Sequence, residues 1–343
     1  MILTNTYFVG SPSQATVTVQ DTDPLSTNVA VAVANVPAGI DYHPVTNSLI
    51  VSVNNSTTGN PNNFLRVAAN GSSTNWTALS GIGFPNGEIK LGIVQITNNI
   101  NWTRGDMYFG AAQPGKIGKI TANASSVNTN WATLTNSSQM VGETSVFIGG
   151  LYIDQTGVFG GDMIVVIGGS ESSPTDSGRV WRIQAGTTNA SRVAQINDSN
   201  GNGTSLEGVV TVPNDTSKYG PWAGKILTCA EKLGLIYAVD TNGTVTPYNL
   251  GLGSPEDVRL IPSGQNLYCL DASSNQVLKV TADNFTIFTG DILLVDEGVD
   301  PNECAPGGLY IVHWDGGRFV VRQIAVGGSL EHVVFAPIDI PAP

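Results

Sequence analysis

The sequence predicts an all-β chain folded as a β-propeller. Three observations point there: a recurring strand unit, an absence of helical periodicity across it, and terminal segments that complete one another. The unit is visible in "GDMYFGAA" (105–112), "GDMIVVIG" (161–168), "GKILTCAE" (224–231), "GQNLYCLD" (264–271) and "GDILLVDE" (290–297). Each has a Gly, a polar residue and an apolar run, which reads as a strand entered from a Gly turn.

A further strand follows each of these: "GKIGKITA", "GRVWRIQA", "GLIYAVDT", "NQVLKVTA" and "GLYIVHWD". Most then turn through Asn, Asp or Gly into a third. "VAANGSSTNWTAL" (67–79) and "ITANASSVNTNWATL" (120–134) are nearly the same segment twice. Ahead of several units lies another short apolar strand opened by a small or acidic residue, as in "PAGIDYHP", "LEGVVTVP", "PEDVRLIP" and "LEHVVFAP". Four short strands per unit, at a spacing of about 40–60 residues, fit propeller blades better than a two-sheet sandwich.

The C-terminal "LEHVVFAPIDI" reads as an inner strand with no unit after it, while "NTYFVG", "QATVTVQ" and "TNVAVAVA" read as strands two to four lacking a first. Joined, they make one blade from both termini and hide its edges. The expectation is one domain over residues 1–343 with seven four-stranded blades. Six blades with an accessory N-terminal hairpin is the alternative, because only "DNFTIFTG" separates the strand ending near Ala282 from Gly290.

The composition agrees with a turn-rich, core-forming chain: 41% hydrophobic residues, 40 Gly, 18 Pro and 12% charged residues among 343. The net charge of −12 argues against nucleic acid, since no basic stripe is present to displace counterions. A small molecule, a glycan or a protein is the expected ligand. No apolar run approaches the ~18 residues of a membrane span, and "MILTNTYFVG" lacks the regions of a signal peptide. Asn-X-Ser/Thr sequons recur from Asn54 to Asn284, including Asn70, Asn123, Asn189 and Asn242. Such density suits an extracellular or cell-surface glycoprotein. Cys229, Cys269 and Cys304 lack metal-ligand spacing, permit at most one internal disulfide, and are expected to be buried, inert thiols.

In a propeller the first strands line the channel. Loops entering them open on the same face as the loops joining second to third strands. Glu207, Glu256 and Glu331 start first strands, with Glu88 and Glu143 less clearly so, and should gather at one mouth of the channel. Glu231, Asp271, Asp296 and Glu297 end second strands and are sent to the same face. Crowded carboxylates repel unless protonated, hydrated or bridged by a cation, and Ca²⁺, with its six to eight oxygen ligands, is the expected one.

The loop "INDSNGNGTSLEG" (196–208) enters the strand at Glu207. Its Asp198, Asn200 and Asn202 alternate ahead of Gly203 as in the front half of an EF-hand loop, with the Thr204 carbonyl as a further oxygen. Glu207 comes too early to be the closing bidentate ligand, and a solvated Asn/Gly turn explains the same residues.

His332 follows Glu331, but strand alternation sends neighbouring side chains to opposite faces, so a packed histidine is favoured. His43, His313 and His332 form no metal triad. Trp76, Trp102, Trp131, Trp181, Trp222 and Trp314 could stack on sugars, but burial between sheets is the default. "YGPWAGK" (219–225) is a long connection on the face opposite the acids, read as a packed loop. No nucleophile elbow, phosphate loop, haem motif or zinc spacing occurs, and "VIGGSESS" lacks Gly-x-Ser-x-Gly.

"LEGVVTVP", "KYGPWAGKILTCAE", "PEDVRLIP", "GDILLVDE" and "EHVVFAP" resemble segments of exported bacterial propeller-like proteins over roughly residues 145–340. More remotely, the Glu-Gly inner-strand openings resemble the gluconolactonase/regucalcin-type propellers. That resemblance implies a divalent cation at the channel mouth, held by Glu, Asn and Asp and activating lactones or esters. Only Glu207, Glu256 and Glu331 match as ligands; no matching Asn and Asp are identifiable. Two functions are therefore carried forward. One is a cation-stabilised extracellular binding or surface/matrix protein, with assembly into homo-oligomers open to it. The other is a metal-dependent hydrolase, lactonase or lyase at the acidic mouth.

Overall fold

The computed structural model describes residues 25–341 apart from 26, 34–36, 54–63, 78–88, 96–100, 111–114, 135–147, 168–177, 202 and 299–306. Among the described residues the chain forms six four-stranded antiparallel sheets arranged as propeller blades. Strand β1 (Asn28–Ala32) comes first. The first blade is then β2 (Gly39–His43), β3 (Ser48–Ser52), β4 (Phe64–Ala68) and β5 (Ser73–Thr77). The second is β6 (Leu91–Ile93), β7 (Met107–Gly110), β8 (Lys116–Ile120) and β9 (Val127–Thr133). The third is β10 (Ile148–Ile153), β11 (Met163–Ile167), β12 (Gly178–Ile183) and β13 (Ala190–Ile196). The fourth is β14 (Glu207–Thr211), β15 (Ile226–Ala230), β16 (Leu235–Val239) and β17 (Val245–Asn249).

The regular order then breaks. Strand β18 (Pro255–Leu260) is the inner strand of the fifth blade, yet the next two strands, β19 (Asn266–Asp271) and β20 (Gln276–Val280), belong to the sixth. A 3₁₀ segment, Ala282–Phe288, returns the chain to the fifth blade. There β21 (Ile292–Asp296), β22 (Gly308–Trp314) and β23 (Phe319–Val326) complete the sheet. Strand β24 (Leu330–Ala336) is the inner strand of the sixth blade, whose order is β24-β19-β20-β1.

This crossover corrects the expected seven blades to six. The β19–β20 hairpin was read as the start of its own unit, whereas it supplies the middle of the blade that both termini close. "LEHVVFAP" is the inner strand and "TNVAVAVA" the outer one, as expected. Strands two and three come from 266–280 instead of the N-terminal segments, and "NTYFVG" and "QATVTVQ" lie outside the described residues. The short "DNFTIFTG" spacer is the return path from the sixth blade to the fifth.

The core sits between blades rather than inside one. On β11, Met163, Val165 and Ile167 pack toward the second blade, while Ile164 and Val166 pack toward the fourth. Strand alternation with both faces buried gives this division. Equivalent apolar layers lie at the other junctions, including the closing one, where Ile40 and Leu49 meet Tyr268 and Val334. The near-duplicate segments fall on β4–β5 and β8–β9, the same outer hairpins of adjacent blades.

Three consecutive inner strands carry a bulge near their start: the register slips between Ile148 and Gly150, between Glu207 and Val209, and between Pro255 and Asp257. In β24 the two residues Glu331 and His332 lie between partners Asp271 and Cys269, a further bulge. Gly208 has φ +53°, and a Cβ there would fall 2.6 Å from the Asp257 Cα, so the extra residue brings two inner strands together.

Candidate functional site

The expected convergence of Glu207, Glu256 and Glu331 occurs, and sequence reasoning missed the group at its centre. Lys90, immediately ahead of β6, is fully buried. Its Nζ lies 2.7 Å from Glu256 Oε1, 3.2 Å from Glu207 Oε2 and 3.2 Å from Glu331 Oε2. Side chains from the second, fourth, fifth and sixth blades thus meet on one ammonium. A buried lysine requires such partners, because desolvating an unpaired charge costs several kcal/mol, as an order of magnitude.

His332 is buried, as the packed-histidine reading expected, and the bulge in β24 lets it pack beside this cluster although it neighbours Glu331. Its Nε2 lies 3.7 Å from Glu256 Oε1 and its Nδ1 3.8 Å from Asp257 Oδ2. Burial, then the charges of Lys90 and Arg259, hold its pKa well below the ordinary value. The ring is therefore neutral at pH 7, and the stability tied to that neutrality is lost as pH falls below the unfolded value near 6.5.

Among the described residues, Glu207, Glu256 and His332 offer ligand atoms within 4.8 Å of one another. Taken alone, that donor set suits a divalent cation. With the Lys90 ammonium at hydrogen-bond distance from the same carboxylates, it does not: a second cation would meet a fixed positive charge where its own ligands converge.

The 196–208 loop is a hydrogen-bonded turn beside this cluster in sequence. Asp198 Oδ1 accepts from the Asn200 amide at 2.8 Å, and the Gly201 amide donates to the Asp198 carbonyl at 3.1 Å. Asn197 Nδ2 donates to the Gly201 carbonyl at 3.1 Å, and Asn197 bridges Gly203. Asn202 lies outside the described residues. Thr204 is buried, and its hydroxyl has no hydrogen-bond partner among the described residues. Asp198 does not join the ligand-capable group that contains Glu207.

The other acids of this face are committed locally. Asp296 accepts from the amides of Gly253, Ser254 and Gly298, Asp271 from Ser273 and Ser274, and Glu297 from the Ser329 hydroxyl. Glu231 opens a short 3₁₀ turn, and Glu88 and Glu143 fall outside the described residues. Cys229 and Cys269 are free and buried, and burial raises both thiols well above their usual range. Trp102, Trp181 and Trp222 are buried, as the packing reading expected.

At the opposite end of the channel, where the inner strands finish, lies a cavity of about 380 Å³. Its polar groups include Asp41 on β2, Gln95 after β6, Tyr152 on β10 and Arg259 on β18; Leu151, Ile261 and Phe335 are among its apolar lining. Asp41 Oδ2 accepts from the Ile93 amide, and its Oδ1 from Gln95 Nε2 and the Tyr42 amide, at 2.6–2.7 Å. Burial raises its pKa to about 6, with the Ile93 amide and the Arg259 charge opposing that rise. Arg259 Nε donates to the Val333 carbonyl and Nη1 to the carbonyls of Val209 and Val258, and the guanidinium forms an ion pair with Asp257, Nη1 to Oδ1 3.1 Å. Its Nη2 has no hydrogen-bond partner among the described residues.

This cavity was not anticipated. The signal was present in "GIDYH" and "DVRLI", where a charge interrupts a strand otherwise buried on both faces. The loop "YGPWAGK" packs as expected, with Tyr219 and Trp222 in the layer between the fourth and fifth blades, and Tyr219 also borders the cavity.

Fold and site together define a β-propeller with an internal ion-pair cluster at one end of its channel and a polar-floored cavity at the other. No protein-family model matches the chain, and no curated protein matches its sequence. Among solved structures it is similar to a gluconolactonase from Xanthomonas campestris (TM-score 0.42, 9% identity, over 76% of this chain and 91% of that one). It is also similar to virginiamycin B lyase from Staphylococcus aureus (TM-score 0.45, 12% identity, 88% and 89%). A third is an auxiliary nutrient binding protein from Bacteroides ovatus (TM-score 0.45, 11% identity, 71% of this chain and 58% of that one).

Proposed function

We propose that this chain is an extracellular or cell-surface binding propeller that takes a small-molecule ligand in the Asp41–Arg259 cavity. The observation that carries this reading is the cavity itself: about 380 Å³, apolar walls, and a few convergent polar groups, one of them a carboxyl raised to about 6. Pockets of this size and lining are the usual form of small-molecule sites. The cation that stabilises the acidic cluster is Lys90 rather than Ca²⁺. The sequon density supports exposure outside the cell. Among the described residues no helix is long and apolar enough to cross a membrane.

The metal-dependent hydrolase reading rests on the Glu207, Glu256 and His332 donors. It requires Lys90 to leave the carboxylates it neutralises.

Thermal unfolding with EDTA and with added Ca²⁺, together with elemental analysis, separates the two. The expected outcome is no stoichiometric metal and an unchanged Tm. Bound metal lost together with stability in Glu207→Ala or Asp198→Ala would restore the metal reading. For the cavity, a chemically mixed panel of small molecules should yield ligands that raise Tm in the native chain and not in Ile153→Trp, which narrows the space. An absence of such ligands refutes the binding reading.

A further inference from the structure

We infer that the cavity is built for a small organic acid, a carboxylate with an apolar body, whose anionic group is received by Arg259. This rests on the binding reading above and adds the chemical class of the ligand.

The first argument is an inventory of donors and acceptors. Asp154, on the channel side of the third blade, accepts from the Thr156 amide and hydroxyl, the amides of Phe159 and Gly161, and the Thr211 hydroxyl. Burial would raise it, but these donors outweigh that effect and hold it below its ordinary range. Asp257 accepts from the amides of Val258 and Val333 and is ion-paired with Arg259. Asp41 already receives three donors. The nearby carboxylates are thus satisfied from within. The cationic group of the cavity is Arg259, whose Nη2 has no hydrogen-bond partner among the described residues, on a side chain only 15% exposed and fixed in place by its other nitrogens. A guanidinium held this way is preorganised for a carboxylate.

The second argument is the wall. Leu151, Ile261 and Phe335 line the same cavity, so a bare inorganic anion would leave apolar surface wet. An acid with a compact hydrocarbon or aromatic body fills both parts.

The third argument is the proton that Asp41 can take. Asp41 is near Arg259 and Tyr152, and Tyr152 also feels the charge of Asp154. Burial keeps the Tyr152 hydroxyl above its usual range, so it remains neutral and contributes no charge. A bound carboxylate repels ionised Asp41 and favours its protonated form. With a folded-state value of about 6, Asp41 is mostly ionised at pH 7.5 and mostly neutral at pH 5.5. Affinity for the anion should therefore rise as pH falls through that range and flatten below it.

The test is calorimetric titration of the full chain with phenylacetate and with phenylacetamide, which has the same body without the charge. Expected are at least tenfold tighter binding of phenylacetate at pH 5.5, and a several-fold gain for phenylacetate alone on going from pH 7.5 to 5.5. Arg259 also ties inner strands together, so its replacement could unfold the protein. Gln155, exposed at the cavity rim, is the safer position. Gln155→Arg should tighten phenylacetate binding at low salt and Gln155→Glu should weaken it, with phenylacetamide unmoved. Equal binding of acid and amide, affinity that rises with pH, or no saturable binding of phenylacetate overturns the organic-acid inference. Neutral ligands from the mixed panel that still compete for the cavity would leave the binding reading standing.

Discussion

Lys90 is the residue on which the channel depends. In sequence it is one of few cations, lying in "GEIKLG" with nothing to mark it, and the three glutamates that surround it are distant along the chain. Replacing it with Met would leave Glu207, Glu256 and Glu331 buried together without a counter-ion. The expected cost is about 3–5 kcal/mol, the usual penalty for removing one partner of a buried charge cluster. Because that cost is carboxylate repulsion, protonation relieves it. In urea titrations the deficit of Lys90→Met relative to the native chain should shrink as pH is lowered from 7.5 to 5. A deficit independent of pH would mean that lost packing, not charge, dominates. Sequence reasoning found the acids through their strand-start positions and inferred that a cation must bridge them. It named Ca²⁺ and not Lys90, because residue types alone do not reveal which side chain reaches the same point from another blade.

At the scale of the strand, the inner-strand bulge decides which side chains enter the channel. Strict alternation puts Glu331 and His332 on opposite faces. One extra residue per ladder allows both to approach Lys90 and Glu256. Gly208 is the extra residue in β14 and holds φ +53° against the Asp257 backbone. Gly208→Ala should destabilise the protein by more than about 1 kcal/mol, through both the left-handed backbone and the 2.6 Å approach. Chemical denaturation would measure this, and an unchanged midpoint would show that the bulge relaxes freely. The strands themselves were legible, since apolar runs opened by Gly turns are short-range signals. The bulges were not, because "LEGVV" and "LEHVV" read equally well as regular strands.

For the whole molecule, ring closure joins three separated stretches in one blade: β24 from the C-terminal end, the β19–β20 hairpin from the middle, and β1 near the N-terminal end. Val29 on β1 packs against the layer between the fifth and sixth blades, and Ala30 is buried in the layer between the sixth and first. Deleting residues 1–33 should expose the edge of β20, lower Tm and promote association, since an unpaired edge is a template for another chain. A monomeric truncated protein with native Tm would show that β1 is dispensable for closure.

The strand repeat, the all-β class, the closing role of both termini and the meeting of three glutamates were determined by the sequence itself, because each follows from local periodicity and from position within a repeat. The tertiary structure alone decided the blade number, the place of Lys90 among the glutamates and the location of the cavity. Each depends on contacts between residues far apart in the chain: a hairpin that pairs outside its turn in the order, a lysine that meets glutamates from three other blades, and an aspartate and an arginine that share one end of the channel only once the ring has closed.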